Sequence, residues 1–195
     1  MLQQLLNNHS IILASGSPRR QQFFKELAID YKIDVREVEE VYPNHLKREE
    51  ISNYLAALKA KAFNHIAKNE IVITSDTIVW HNEIALGKPK NLDEAKQMLR
   101  SMSNQTHEVI TSVCFKTINT VRTIHHATQV TFKKLTEQEI DYYVNTYKPL
   151  DKAGAYGIQE WIGLVGITSI TGSFFTVMGL PTHMVYETLI ELAKS

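Results

Sequence analysis

Two arginines, Arg19 and Arg20, stand directly behind Ser15-Gly16-Ser17-Pro18, where the apolar run Ile11-Ile12-Leu13 stops. Pro18 suits the first position of a helix and Ser17 its cap, so both arginines fall in a first helical turn. The helix dipole already makes that end positive, so stacking two cations there points to a held anion, and phosphate is the expected one. Gly16 and the small hydroxyl residues Ser15 and Ser17 let backbone N–H groups approach phosphate oxygens, and arginine adds a planar donor fork. The bland alternative is a capped surface helix with two solvated arginines. A Walker A loop is excluded, because its Gly-Lys-Ser/Thr ending is missing.

Asp76 is the second candidate. It follows the apolar stretch Ile71–Thr74 and is expected at that strand's carboxyl end, where ligands gather in open α/β sheets. A carboxylate there holds Mg²⁺ or Mn²⁺, or takes a proton from water. The adjacent Glu39-Glu40 reads by itself as a solvated acidic loop, but a hard divalent ion that meets Asp76 needs more carboxylate oxygen. Lys61 and Lys88, the latter in Leu86-Gly87-Lys88-Pro89, would pass as surface lysines if taken alone. His125-His126 is rejected as a ligand pair, since neighbouring strand residues face opposite ways. The eight histidines show no zinc spacing. The one cysteine, Cys114, lies in the apolar run 109–115 and reads as a buried, inert thiol.

The elements that must position these groups are mixed. A buried strand at 10–15 leads into a helix to about Leu27, and Tyr31–Val35 alternates as a second strand. Glu49–Lys68 reads as one long helix with Ile51, Leu55, Leu58, Ala62 and Ile66 inward. Ile71–Thr74 is a short strand, and Ile78–His81 with Glu83–Leu86, joined near Asn82, reads as a hairpin or a continuing extended segment. Asn91/Glu94 and Thr136/Glu139 are capping boxes that open helices to about Met102 and Thr146. His107–Ile118 and Arg122–Phe132 read as two long antiparallel strands. Leu164–Ile170 and Phe174–Met178 are expected to form a hairpin around Thr171-Gly172-Ser173, and Pro181 opens a last helix to about Ala193. The expected fold class is α/β, of the mixed α+β kind: a long mixed sheet flanked by helices, bent into two lobes around a groove, in a single domain over 1–195.

Composition narrows the function classes. The 195 residues are 44% apolar and 22% charged, with a formal net charge of zero. That describes an ordinary globular chain and argues against a general nucleic-acid binder. The first nine residues lack the blocks of a signal peptide, and no apolar run suits a membrane span, so a cytoplasmic protein is expected.

The motifs Leu13-Ala14-Ser15-Gly16-Ser17-Pro18-Arg19-Arg20, Ser75-Asp76-Thr77-Ile78-Val79, Gly87-Lys88-Pro89, 151–159 (Asp-Lys-Ala-Gly-Ala-Tyr-Gly-Ile-Gln) and Met178-Gly179-Leu180-Pro181 occur in this order. Together they make the chain resemble the Maf family over nearly its whole length. The resemblance implies a nucleoside triphosphate pyrophosphatase with the inosine-triphosphatase-like fold, two lobes and a central cleft, working with a divalent cation, Mg²⁺ or Mn²⁺. It implies Asp76 as proton acceptor and Glu40 with Asp76 as the metal pair. Arg19, Thr77 and Gln159 correspond to the positions tied to substrate choice, in the combination of the dTTP/UTP subgroup. Ser15, Arg19, Arg20, Lys61 and Lys88 correspond to phosphate-binding positions. Two departures stand out. Glu160-Trp161-Ile162-Gly163 replaces a small, glycine-rich segment, with Trp161 either a stacking surface for a base or a local core residue. Residues 1–9 extend past the usual start as a short disordered or surface segment.

The expected reaction is hydrolysis of dTTP and UTP, or of modified pyrimidine nucleotides as a house-cleaning activity, to the monophosphate and pyrophosphate. Two alternatives stand beside it: a nucleotide-binding regulator of cell division without turnover, and a pyrophosphatase for another modified base. The expected partner is the nucleoside triphosphate, with no nucleic acid and no membrane. The long strands after His107 offer a surface for a homodimer.

Overall fold

A computed structural model describes residues 2–194. One mixed seven-stranded sheet carries the strand order β2-β1-β3-β5-β6-β7, with β4 attached to β3. Its strands are β1 (Ser10–Leu13), β2 (Lys32–Ile33), β3 (Glu70–His81), β4 (Ile84–Leu86), β5 (Thr106–Lys116), β6 (Val121–Phe132) and β7 (Ile167–Thr171). β1 runs parallel to β2 and β3, whereas β3/β4 and β6/β7 are antiparallel. The helices are α1 (Leu2–Leu5), α2 (Pro18–Glu26), α3 (Glu49–Lys61), α4 (Leu92–Met102), α5 (Glu137–Tyr147), α6 (Trp161–Gly166), α7 (Phe174–Val177) and α8 (Thr182–Lys194). The expected class, a mixed sheet flanked by helices, is the one observed.

The chain divides into two compact units: Met1–Asp76, Thr111–His126 and Gly179–Ser195 form one, and Thr77–Ile110 with Ala127–Met178 the other. The core of the second unit gathers Val79, Val109, Val130 and Phe132 from the sheet with Leu99 and Met102 of α4 and Ile140 and Val144 of α5. All of them are essentially fully buried, and each large apolar side chain of this kind contributes about 1.5–3 kcal/mol. α5 starts with a complete capping box and α4 with the Asn91 cap alone, since the Glu94 carboxylate accepts from the Lys90 amide and not from that of Asn91. The Asn91 side chain accepts from the Glu94 amide, and the Thr136 hydroxyl accepts from the Glu139 amide while Glu139 reaches back to the Thr136 amide.

Three further expectations are corrected. β3 is continuous, where a short strand ending at Ser75-Asp76-Thr77 was expected, so Asp76 lies in mid-strand and not at a strand's carboxyl end. The polar side chains that suggested the strand's end are buried within it instead, Ser75 at 2% and Asp76 at 7% exposure. The long helix after Glu49 ends at Lys61, not Lys68. Lys116 Nζ donates to the carbonyls of Ala60 and Phe63, and Arg36 donates to that of Ala62 and stacks on the Phe63 ring. Two cations thus take up the helix's terminal carbonyls.

The hairpin expected across 164–178 is absent. β7 pairs back on β6, and the chain turns into α7 at Gly172, whose φ of +127° no other residue adopts easily. There Thr128 Oγ1 receives the Ser173 amide and donates to the Ser173 carbonyl. Finally, the N-terminal segment is a surface segment and not a disordered one: α1 buries Leu2, and Leu6 follows on the same face, while Gln3, Gln4, Leu5, Asn7 and Asn8 stay exposed.

Candidate active site

In the first unit, β1 makes its last ladder bond from Ala14 N to the Ile73 carbonyl. Past that point β3 runs on while β1 turns away, so the β3 backbone at Ser75 needs another partner. Arg20 supplies it. Its Nη1 donates to the Ser75 carbonyl at 3.1 Å and to Ser15 Oγ at 3.4 Å, and its Nε donates to the Gly179 carbonyl at 2.8 Å. Gly179 has φ +106°, a turn conformation that aims its carbonyl here without a Cβ penalty. Three stretches far apart in sequence therefore meet on one guanidinium. Burial, with Arg19 as a like charge, lowers the Arg20 pKa to about 10 against the pull of Asp76 and Glu40, so it stays cationic at neutral pH.

The loop ahead of α2 is closed from within. Ser15 Oγ accepts from the Ser17 amide at 3.3 Å, and Gln21 Nε2 donates to the Ser15 carbonyl. Ser17 occupies the cap position but makes no side-chain cap bond, contrary to expectation. The first-turn amides of α2 are thus left without a side-chain cap, as an anion site requires. Arg19 Nε and Ser75 Oγ are buried without a hydrogen-bond partner. Buried polar atoms of this kind need a partner from outside the chain, water or ligand.

Asp76 is held by a residue the motif reading passed over. Lys59 Nζ donates to Asp76 Oδ1 at 2.6 Å and reaches Glu40 Oε1 at 3.1 Å. The register that creates this contact is simple. Thr74 and Asp76 share one face of β3, and Ala56 and Lys59 share one face of α3. Thr74 Oγ1 donates to the Ala56 carbonyl at 2.6 Å, which brings Lys59, one turn on, over Asp76. Burial raises the Asp76 pKa above the usual carboxylate value; Lys59 and Arg20 oppose the shift and Glu40 adds to it. Glu40, in the acidic loop, keeps half its side chain exposed.

Lys61 is exposed at the last turn of α3. Two residues rotate a helix by roughly 200°, so Lys61 faces away from the Lys59 side. The signal for Lys59 was present in the chain: Ile51, Ser52, Leu55, Ala56, Ala60 and Phe63 form the buried stripe, and Lys59 borders it. The expected stripe through Leu58 and Ala62 was rotated off this face.

The remaining candidates belong to the second unit. Thr77 follows Asp76 on β3 and is partly buried, while Lys88 and Gln159 are exposed. The 151–159 segment that carries Gln159 is tightly fixed. Gly154 donates its amide to the Gly87 carbonyl, next to Lys88, and has φ +67° where a Cβ would fall 2.8 Å from Val79. The Tyr156 hydroxyl pairs at 2.7 Å with His107 Nε2; burial lowers His107 to about 3 and keeps it neutral. Trp161 packs edge-on against Tyr142 at 4.8 Å and borders the core, which makes it a local packing residue. Cys114 is buried, and burial pushes its thiol pKa up, as expected of an inert cysteine.

The donor set was tested for a metal. Among the described residues no group of three or more His, Cys, Asp or Glu side chains is arranged to hold an ion. Asp76 and Glu40, gathered on one ammonium, supply hard oxygen ligands only. That suits Mg²⁺, which is bound by one or two carboxylates plus substrate phosphates, and not a caged structural metal. No helix among the described residues is long and apolar enough to cross a membrane.

Comparison with known proteins gives a consistent result. The sequence model of the family described as "Maf-like protein" matches residues 10–192. A dTTP/UTP pyrophosphatase of Christiangramia forsetii is 59% identical over 196 aligned positions, covering 100% of both chains. One from Flavobacterium johnsoniae is 59% identical over 193 positions, covering 98% of this chain and 100% of that protein. One from Phocaeicola vulgatus is 49% identical, covering 96% and 98%. Among solved structures, a HAM1 protein from Coxiella burnetii matches with a TM-score of 0.52 at 14% identity, covering 94% and 99%, a likeness of fold.

Proposed function

The chain belongs to the Maf family, and on that premise we propose that it hydrolyses dTTP and UTP to the nucleoside monophosphate and pyrophosphate. The observation that carries the reading is Asp76, buried and tied to Lys59, which also reaches Glu40. Burial raises the proton affinity of this carboxylate while Lys59 and Arg20 favour its ionised form, which suits a general base. Asp76 takes a proton from the water that attacks the α-phosphorus. The bond from that phosphorus to the bridging oxygen breaks, and pyrophosphate leaves.

Charge stabilisation is the larger task, because the nucleophile approaches an anion. Arg19 and the uncapped amides of α2 face the phosphates. Arg20 shapes the loop through Ser15, Ser75 and Gly179 and adds fixed positive charge. Lys88 adds another cation. Lys59 takes the phosphate-side role that the motif reading gave to Lys61. Glu40 and Asp76 would hold Mg²⁺ or Mn²⁺, which supplies charge against the phosphate oxygens. Arg19, Thr77 and Gln159 select the nucleotide, and Gln159 offers both a donor and an acceptor to a pyrimidine edge. The substrate pool is the cytoplasm's free nucleotides, and modified pyrimidines fall within the same chemistry.

The test is pyrophosphate release from a panel of dTTP, UTP, dCTP, CTP, dGTP and ATP with Mg²⁺ or Mn²⁺. Release is expected to be greatest with dTTP and UTP. Binding without release from any nucleotide would overturn hydrolysis in favour of a nucleotide-sensing regulator, and a preference for another base would overturn the substrate assignment.

A further inference from the structure

Glu160 follows Gln159 directly, and its carboxylate is engaged on both oxygens. Oε2 accepts from the Tyr143 hydroxyl at 2.5 Å, and Oε1 lies 3.1 Å from Lys152 Nζ. Lys152 is itself buried and also holds Asp151. The Tyr143 hydroxyl in turn accepts from the Gly157 amide at 3.0 Å, and the Glu160 amide donates to the Gly157 carbonyl at 2.9 Å. Gly157, Tyr143 and Glu160 therefore close a ring of hydrogen bonds around the turn that presents Gln159. Burial and the Glu160 carboxylate keep the tyrosine protonated, so it remains a donor.

Gly157 explains the arrangement. A Cβ at that position would fall 2.9 Å from Glu160 Cδ, 3.0 Å from Glu160 Oε2 and 3.0 Å from Gln159 Nε2. The carboxylate and the amide nitrogen share the open face of one glycine. On the other side, a Cβ on Gly163 would lie 1.8 Å from the Ile158 carbonyl oxygen, so the first turn of α6 closes directly on the same segment. The backbone of Gln159 is fixed from both ends, yet the residue itself is exposed.

An ionised carboxylate accepts hydrogen bonds and donates none. Lying on the same face of Gly157 as the Gln159 amide nitrogen, it favours the amide sense with NH₂ on its own side, which leaves the carbonyl oxygen on the side away from Glu160. A carbonyl there accepts from a ring N–H. Thymine and uracil carry such a donor at N3, whereas cytosine carries a bare nitrogen there. We propose that Glu160 is a positioning residue that fixes the sense of the Gln159 amide and so selects nucleotides whose pyrimidine presents an N–H over those that present a lone pair. This rests on the reading that Gln159 meets the base. A site that leaves a polar group unpaired against the wrong substrate discriminates strongly, which is how one amide orientation acts on choice.

The test compares wild type, Glu160→Gln and Tyr143→Phe on dTTP and dCTP, with kcat and KM measured separately and melting followed in parallel. Glu160→Gln keeps the shape but offers Gln159 either an oxygen or an NH₂. The dTTP:dCTP ratio of kcat/KM is expected to fall about tenfold, the worth of roughly one hydrogen bond, through a higher KM for dTTP with kcat nearly kept. Tyr143→Phe is expected to move the ratio the same way by less. A lower melting temperature with kcat/KM reduced equally for both nucleotides would show a merely structural role and overturn the proposal. Dissociation constants for dTTP and dCTP, titrated on the same variants, carry the same ratio. A wild type that binds with the preference but releases no pyrophosphate overturns hydrolysis alone, whereas a wild type that binds both nucleotides equally overturns this inference.

Discussion

Lys59 Nζ sits 2.6 Å from Asp76 Oδ1, on a helix that the Thr74-to-Ala56 hydrogen bond registers against β3. A buried carboxylate is costly unless paired, and here the pairing cation also contacts Glu40, so one ammonium organises both acidic groups. The consequences are specific to Asp76, Lys59, Arg19 and the segment that carries Gln159.

Asp76→Asn keeps the size of the side chain and removes the proton acceptor. Pyrophosphate release from dTTP is expected to fall by about 10²–10⁴-fold, the range for loss of a general base. Circular dichroism should show the same secondary structure. A loss of only a few-fold would remove Asp76 from the role of base.

The raised pKa of Asp76 has two readouts. With Asp76 as the proposed base, activity needs the ionised form, so kcat/KM should fall on the acid side along a limb lying above the ordinary carboxylate range. For stability the sign is set by linkage. A group whose folded pKa exceeds its unfolded value binds more protons when folded, so its contribution is present below the unfolded pKa and is lost as pH rises through the folded one. Relative to Asp76→Asn, the wild type should therefore lose stability as pH rises through that window. Denaturant titrations across pH check this, and an opposite slope would show that Lys59 outweighs burial.

Lys59→Met should lower kcat/KM for dTTP by about 10²-fold, because it leaves Asp76 buried without its counter-charge. Lys61→Met, two residues on and exposed, should change it by a few-fold at most. Equal losses in the two variants would show that the register of α3 on β3 does not decide which lysine acts.

Arg19→Ala removes a guanidinium whose Nε is buried without a partner. Since no internal bond of that nitrogen is lost, the melting temperature should hold within a few degrees, while KM for dTTP rises about tenfold or more. An unchanged KM would place Arg19 away from the nucleotide.

Gly154→Ala tests how rigidly the second unit holds its functional segment. The substitution forces a side chain onto φ +67° and against Val79 at 2.8 Å. A destabilisation of about 2 kcal/mol is expected, read from a denaturant midpoint. A neutral result would mean that the 151–159 segment relaxes freely.

Much of this was legible along the chain because it is local. Pro18 with two arginines, the Asn91 cap, the Thr136/Glu139 capping box and the turn at Asn82, which adopts positive φ, depend on residues within a few positions of one another, and each forms as its chemistry requires. The 151–159 motif was equally visible, because its glycines answer a steric demand that no other residue meets. What misled was local as well. Ser75-Asp76-Thr77 has the polar composition that ends a strand, and Glu49–Lys68 the composition of a helix longer than the one that forms.

By itself, then, the sequence determined the family, the class of fold and the residues of the loop and of the aspartate to which the proposed reaction is assigned. Only the tertiary structure decided which lysine meets that aspartate, that β3 runs unbroken through it, and that Arg20 is spent mainly on joining Ser15, Ser75 and Gly179. The physical reason is the range of the contacts. A helix's phase is set by what it packs against, here Thr74 on Ala56, and a strand's continuation by partners that arrive from distant parts of the chain. Residues on one face look alike in composition to residues on the next, until packing chooses between them.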